Sequence, residues 1–94
     1  MEIKFKGKIW YWRGPSPFYF VTVPEKQGND LKGIMKIVTY GWGMIPAEVQ
    51  IGKTKWKTAM FPKNGSYVVP IKDMVRKAED LDEGSEVTVR LKIS

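Results

Sequence analysis

The sequence contains no cysteine and no histidine. Without thiols it has no disulfide framework, no thiolate nucleophile and no cysteine metal ligand, and without imidazole it lacks the usual general base and the commonest zinc ligand. Ser16, Ser66, Ser85 and Ser94 therefore have no histidine partner, and no Ser-x-x-Lys spacing supplies a lysine base instead. No spacing brings two carboxylates into an apolar setting that would raise one pKa. The expectation is a protein that is not an enzyme, with no catalytic residues, no cofactor and no metal site. Long apolar runs are also missing: none approaches the roughly 18 residues of a membrane helix, and Met1 to Lys6 alternates charged and apolar residues where a signal peptide would have an apolar stretch. A cytoplasmic protein without membrane association is expected.

What is present suits one small domain over residues 1–94. The chain has 94 residues, 43% hydrophobic and 13% aromatic, which is enough to fill a core without covalent staples. Ile3, Phe5, Gly7, Ile9 and Tyr11 alternate with Lys4, Lys6, Lys8, Trp10 and Trp12, a period of two that predicts a strand. Gly14-Pro15-Ser16-Pro17 must turn the chain before a second β-rich run, Phe18 to Val23, so a hairpin is predicted. Pro24 ends that run and suits the first turn of a short helix to about Leu31, a reading that Gly28 and Gly33 weaken. Ile34 to Tyr40 fits a short strand or an irregular crossing equally.

From Ile45 the alternation resumes through Ala47, Val49 and Ile51. Gly52-Lys53 then turns the chain into Thr54 to Met60, a second hairpin. Asn64-Gly65 predicts a further turn into Ser66 to Pro70, a strand ended by its proline. Ile71, Met74, Val75 and Ala78 fall at helical spacing and predict an amphipathic helix of about two turns, with Leu81 docking after it. Val87, Val89, Leu91 and Ile93 alternate with Thr88, Arg90 and Lys92 as the closing strand. Phe20 to Pro24 and Tyr67 to Pro70 each precede a helix, which suggests one internal duplication. These features predict an all-β fold, a closed barrel of six to seven strands with one or two short helices.

The stretch Tyr67 to Val89, a strand, a proline, an arginine-bearing helix, a glycine turn and a strand, resembles the module of AbrB/MazE-type transition-state regulators and antitoxins. The whole chain from about Ile3 to Ile93 resembles a small prokaryotic family of unknown function often found beside YdeI/OmpD-associated domains. The matching pieces are Trp10-Tyr11-Trp12-Arg13-Gly14-Pro15, Phe20 to Pro24, Gly41-Trp42-Gly43, Ile51 to Thr58 and Val75-Arg76-Lys77-Ala78. That resemblance implies a double-split β-barrel related to the AbrB one. It supplies no function, because fold kinship alone does not carry one. AbrB-type barrels are built by two chains swapping hairpins, whereas this chain is long enough to supply both halves, so a monomer is expected.

Charge is unevenly placed. Residues 1–63 carry 11 basic and 4 acidic side chains, and residues 64–94 carry 5 and 6. Lys4, Lys6 and Lys8 share a strand face with Trp10 and Trp12, and Lys53, Lys55 and Lys57 share another face opposite Trp56. Such lysines can follow a phosphate backbone while neighbouring indoles stack on bases, so nucleic acid is the first candidate partner. Alternating lysines are also what any solvated strand face carries, and edge lysines guard against aggregation. Trp10 and Trp12 are read first as core or barrel-end residues, because a bulge near Gly7 or between the two would change their side. Trp56 is read as core. Trp42 either plugs the barrel or lines a pocket. With Arg76 it marks a second candidate site, a Trp-rich barrel end for a protein partner or an anionic small ligand. Arg76 is read first as a solvated or ion-paired residue near Asp73 or Asp80. The acidic run Glu79, Asp80, Asp82, Glu83 and Glu86 lacks calcium-loop spacing and reads as a solvated turn.

Overall fold

The structure, a computed structural model, describes residues 2–29, 31, 44–63 and 65–93. The expectations for Gly33, for residues 34–40, for Trp42 in Gly41-Trp42-Gly43 and for Asn64 lie outside those residues. The described strands are β1 (Glu2–Trp12), β2 (Phe18–Thr22), β3 (Ile45–Ile51), β4 (Thr54–Lys63), β5 (Ser66–Ile71) and β6 (Glu86–Lys92). Helix α1 covers residues 25–29 and α2 covers Asp73–Glu79. The strands close into an antiparallel barrel in the order β1-β2-β5-β4-β3-β6, with β6 returning to β1. The fold is the mostly β barrel expected from the alternation, with six strands.

Two strands close the barrel by belonging to two sheets each. Residues 2–8 of β1 pair with β6 and residues 9–12 with β2. Residues 54–60 of β4 pair with β3 and residues 61–63 with β5. The first sheet therefore holds the opening half of β1 with β6, β3 and the opening half of β4, and the second holds the remaining halves with β2 and β5. The unit β1-β2-α1-β3 has the same neighbours as β4-β5-α2-β6, so the duplication suggested by the sequence exists as a repeat of topology. Its correspondence differs from the one expected. The Pro24 carbonyl accepts the Gly28 N–H at 2.8 Å, and the Lys72 carbonyl accepts the Arg76 N–H at 3.1 Å, so Pro24 matches Lys72 and not Pro70.

Pro70 lies inside β5, opposite Phe20, and does not end the strand. Pro46, Pro62 and Pro70 each fall where a strand has outrun one neighbour. Pro46 lies beyond the β3–β6 pairs, Pro62 beyond the β3–β4 pairs, and Pro70 beyond the β4–β5 pairs. A missing N–H there costs no ladder bond. The expected helix from Ile71 is corrected in the same way. Ile71 stays in β5, α2 begins only at Asp73, and Met74 is 54% exposed. Ala78 is exposed as well, so Val75 is the one helix residue buried in the core. The helix ends at Asp80 in the left-handed region (φ 53), and Leu81 packs against the core as expected.

Strict alternation builds the interior. Ile3, Phe5 and Ile9 from β1 meet Ile45, Val49 and Ile51 from β3, Trp56 and Met60 from β4, Tyr67, Val69 and Ile71 from β5, and Val89 and Leu91 from β6. Leu31 and Val75 add to this cluster from beyond the strands. No polar or charged residue is buried among the described residues. The register of β1 against β6 is constant from Glu2 to Lys8, so no bulge interrupts it. Gly7 stands where β1 crosses from one sheet to the other, and a Cβ there would lie 2.8 Å from Val21 Cγ2.

Gly7→Val should therefore lower stability by about 1–3 kcal/mol through overpacking against Val21, read from the denaturant midpoint at constant m-value. Burial pushes the Tyr67 phenol above its ordinary range. A raised folded-state pKa means that the stabilisation is complete below the unfolded value of about 10 and is lost as pH rises through the folded value. Denaturation of the wild-type protein followed above pH ~10 should show a steeper loss of stability than that of Tyr67→Phe.

Candidate nucleic-acid interface

The first sheet turns its outward residues into cross-strand rows. Following the register, Glu2, Lys92, Glu48 and Lys57 lie side by side, and the adjacent row is Lys4, Arg90, Gln50 and Lys55. Charges alternate along the first row and offset one another. The second row has three cations and no carboxylate; Lys6, opposite Thr88, continues the basic edge along β1, and Lys8 beyond it faces Glu86. Lys4, Lys6, Lys8, Lys55, Lys57, Arg90 and Lys92 are all exposed, and none takes part in an ion pair among the described residues. A depression of about 330 Å³ opens on this face, lined by Lys4, Lys55, Arg90 and Lys92 together with Glu2 and Glu48. Like charges directly across a sheet repel, as Lys4 and Arg90 do here, while Gln50 separates Arg90 from Lys55.

The sequence pattern placed two lysine stripes on separate strands. The structure joins Lys4, Lys6 and Lys8 to Lys55 and Lys57 through β6 and β3; β3 places Glu48 and Gln50 between them, and β6 places Arg90 and Lys92 there. Those two residues were visible only as the solvated face of the closing strand, because nothing local says which strands flank it. Lys53 stands apart in the β3–β4 turn beside Gly52, whose φ is +58. Glu79 of α2 packs against that turn and accepts the Thr54 hydroxyl at 2.6 Å.

On the second sheet the outward face is aromatic. Trp10 and Trp12 are not core residues: Trp10 is half-buried and Trp12 is 38% exposed, on the same side of β1 as the lysines. The barrel interior is already filled from all six strands, so the indoles stay outside. Trp10 lies opposite Phe20 with ring centroids 5.2 Å apart, and its indole N–H donates to Thr22 Oγ1 at 2.9 Å. Phe18 follows at 5.7 Å from Phe20. From β4, Phe61 is 40% exposed, and Lys63 places its ammonium 5.1 Å from the Trp10 ring and 5.8 Å from the Trp12 ring. Trp10, Trp12, Phe20, Phe61 and Lys63 border a groove of about 250 Å³ floored by Val68. Phe20 follows from the β1–β2 hairpin, but nothing local in the sequence marks Phe61 and Lys63 as members of this site, since β4 reaches this face only through β5.

Arg76 does not belong to either face. Its guanidinium lies 3.7 Å from the Tyr19 ring centroid, and its outer nitrogens pair with Asp73 at 3.2 Å and Asp82 at 3.7 Å. The side chain is only 22% exposed and its Nε is buried without a hydrogen-bond partner. Tyr19 in turn packs on Tyr11 at 4.6 Å, while Arg13 lies over Tyr11 and 3.5 Å from Glu83. The ion-paired reading of Arg76 thus holds for Asp73, while Asp82 takes the place expected of Asp80, which caps the helix in the left-handed region. Within the acidic run, Asp82, Glu83 and Glu79 serve Arg76, Arg13 and Thr54. Arg76→Met should cost about 1–2 kcal/mol, mainly through the lost cation–π stack because both carboxylates are exposed, and urea denaturation measures this directly.

Among the described residues no helix is long and apolar enough to cross a membrane. A comparison with curated proteins gives no match. The family model described as "Domain of unknown function (DUF1905)" matches residues 5–91, from the middle of β1 nearly to the end of β6, and the chain belongs to that family.

Proposed function

We propose that this barrel is a non-catalytic nucleic-acid-binding module that holds the phosphate backbone on the outer face of its first sheet. The observation that carries this reading is the carboxylate-free row Lys4, Arg90, Gln50 and Lys55, which Lys6 and then Lys8, the latter opposite Glu86, extend along β1. Ammonium and guanidinium groups spaced along paired strands match a polyanion better than a single small anion, and arginine adds bidentate contact with phosphate. On this reading the protein acts as a cytoplasmic monomer without a cofactor. Kinship with hairpin-swapped AbrB-type barrels is part of the proposal and is supported by the repeat of topology within the one chain.

A second reading is a module for a protein segment or an anionic small ligand, favoured by the exposed aromatic groove on the second sheet. Salt separates the two. Binding through several phosphate contacts weakens log-linearly with salt concentration, whereas binding in an apolar groove barely changes. Fluorescence anisotropy of labelled oligonucleotides, titrated at low and near-physiological salt, should show steep salt dependence for the wild-type protein. The double variant Lys4→Glu with Arg90→Glu should bind more weakly and lower the salt slope by about two units. Unchanged affinity and slope in that variant would overturn the assignment.

A further inference from the structure

The basic face and the aromatic face are not separate surfaces. The outer side of β1 passes from Lys4, Lys6 and Lys8 on the first sheet directly to Trp10 and Trp12 on the second, with no bulge between Glu2 and Lys8. Lys8 and Trp10 are therefore neighbours on one side of one strand, roughly 7 Å apart along it. An outward cluster of exposed Trp12 and Phe61 with half-buried Phe18 and Phe20 is unusual for the solvent side of a sheet in so small a domain, where outward positions are normally polar.

Resting on the proposed backbone binding, we infer that this groove is a base-stacking subsite, so that the protein selects single-stranded nucleic acid with unpaired bases over duplex. Three features choose this occupant. The groove is continuous with the basic row, so a strand whose phosphates lie on Lys6 and Lys8 brings its next base onto Trp10. The Trp10 ring is fixed in advance by its N–H bond to Thr22 and its contact with Phe20, which lowers the ordering cost of stacking. Lys63 already places a cation over both indoles, which disfavours a cationic ligand and favours an anionic one with a planar ring. When a base enters, the Lys63 ammonium moves to the adjoining phosphate. Bases in a duplex have no free face to offer, so only an unpaired strand gains this contact.

The test compares labelled oligothymidylate with an abasic oligomer of the same length and charge, and with a duplex, following anisotropy and tryptophan emission together. Oligothymidylate should bind about fivefold or more tightly than the abasic strand and quench tryptophan emission. Phe61→Ala, at an exposed position that does not support the core, should bring its affinity down to the abasic level without changing the salt slope. Lys63→Met should lower the slope by about one unit. Equal, salt-sensitive binding of oligothymidylate and abasic strand would overturn the stacking subsite while leaving backbone binding intact. Failure of every oligomer to bind at low salt would overturn both, whereas a groove that takes up an aromatic peptide in a Phe61-dependent way while no oligomer quenches emission would overturn the stacking subsite alone.

Discussion

Strand β1 belongs to two sheets at once, and the rest of the molecule is arranged around that fact. Its first seven residues pair with β6 and its last four with β2, and the change of partner takes place without a change of parity. Period-two alternation therefore runs its full length. One side gives Ile3, Phe5 and Ile9 to the core, and the other carries Lys4, Lys6, Lys8, Trp10 and Trp12 outward. Gly7 makes the crossing sterically feasible because any side chain there would strike Val21. β4 repeats the device on the opposite side of the barrel, so closure leaves two differently composed outer faces joined by one strand.

The two faces follow from what the interior cannot hold. A six-stranded barrel has a narrow interior, which aliphatic residues from every strand together with Phe5, Trp56 and Tyr67 already fill. Trp10, Trp12, Phe18, Phe20 and Phe61 are left on the outside of the second sheet, where they cover Val68 and one another. The lysines and Arg90 occupy the outside of the first sheet with few opposing charges. The proposed ligand, a polyanion with planar bases, would use both compositions along one path.

What the sequence shows plainly is local. Alternation marked β1, β3, β4 and β6, the Gly52-Lys53 turn marked the second hairpin, and parity placed Trp56 inside. What it hides is the pairing of distant strands. Nothing near Arg90 reveals that β6 lies between β1 and β3, so Arg90 and Lys92 could not be added to the basic face. Phe61 and Lys63 likewise look like the end of an ordinary strand until β5 brings them to Trp10. Helical spacing misled at Ile71 and Met74, because Pro70 can remain within β5 where β4 has already departed and its missing N–H goes unused. A bulge near Gly7 or between the indoles would have turned Trp10 and Trp12 inward, but the registers of β1 with β6 and with β2 are both constant, so the indoles stay on the lysines' side.

The central claim is that ligand lies along the outer side of β1, from Lys4 to Trp12. Titrating a short single-stranded oligonucleotide into isotope-labelled protein and following amide and indole resonances tests it most directly. The account predicts shifts that trace Lys4, Lys6, Lys8, Trp10 and Trp12, extend to Arg90 and Lys63, and move the Trp10 indole N–H while leaving that of the buried Trp56 in place. Shifts confined to α2 and the 80–85 turn, or no shifts along β1 at saturating ligand, would contradict it.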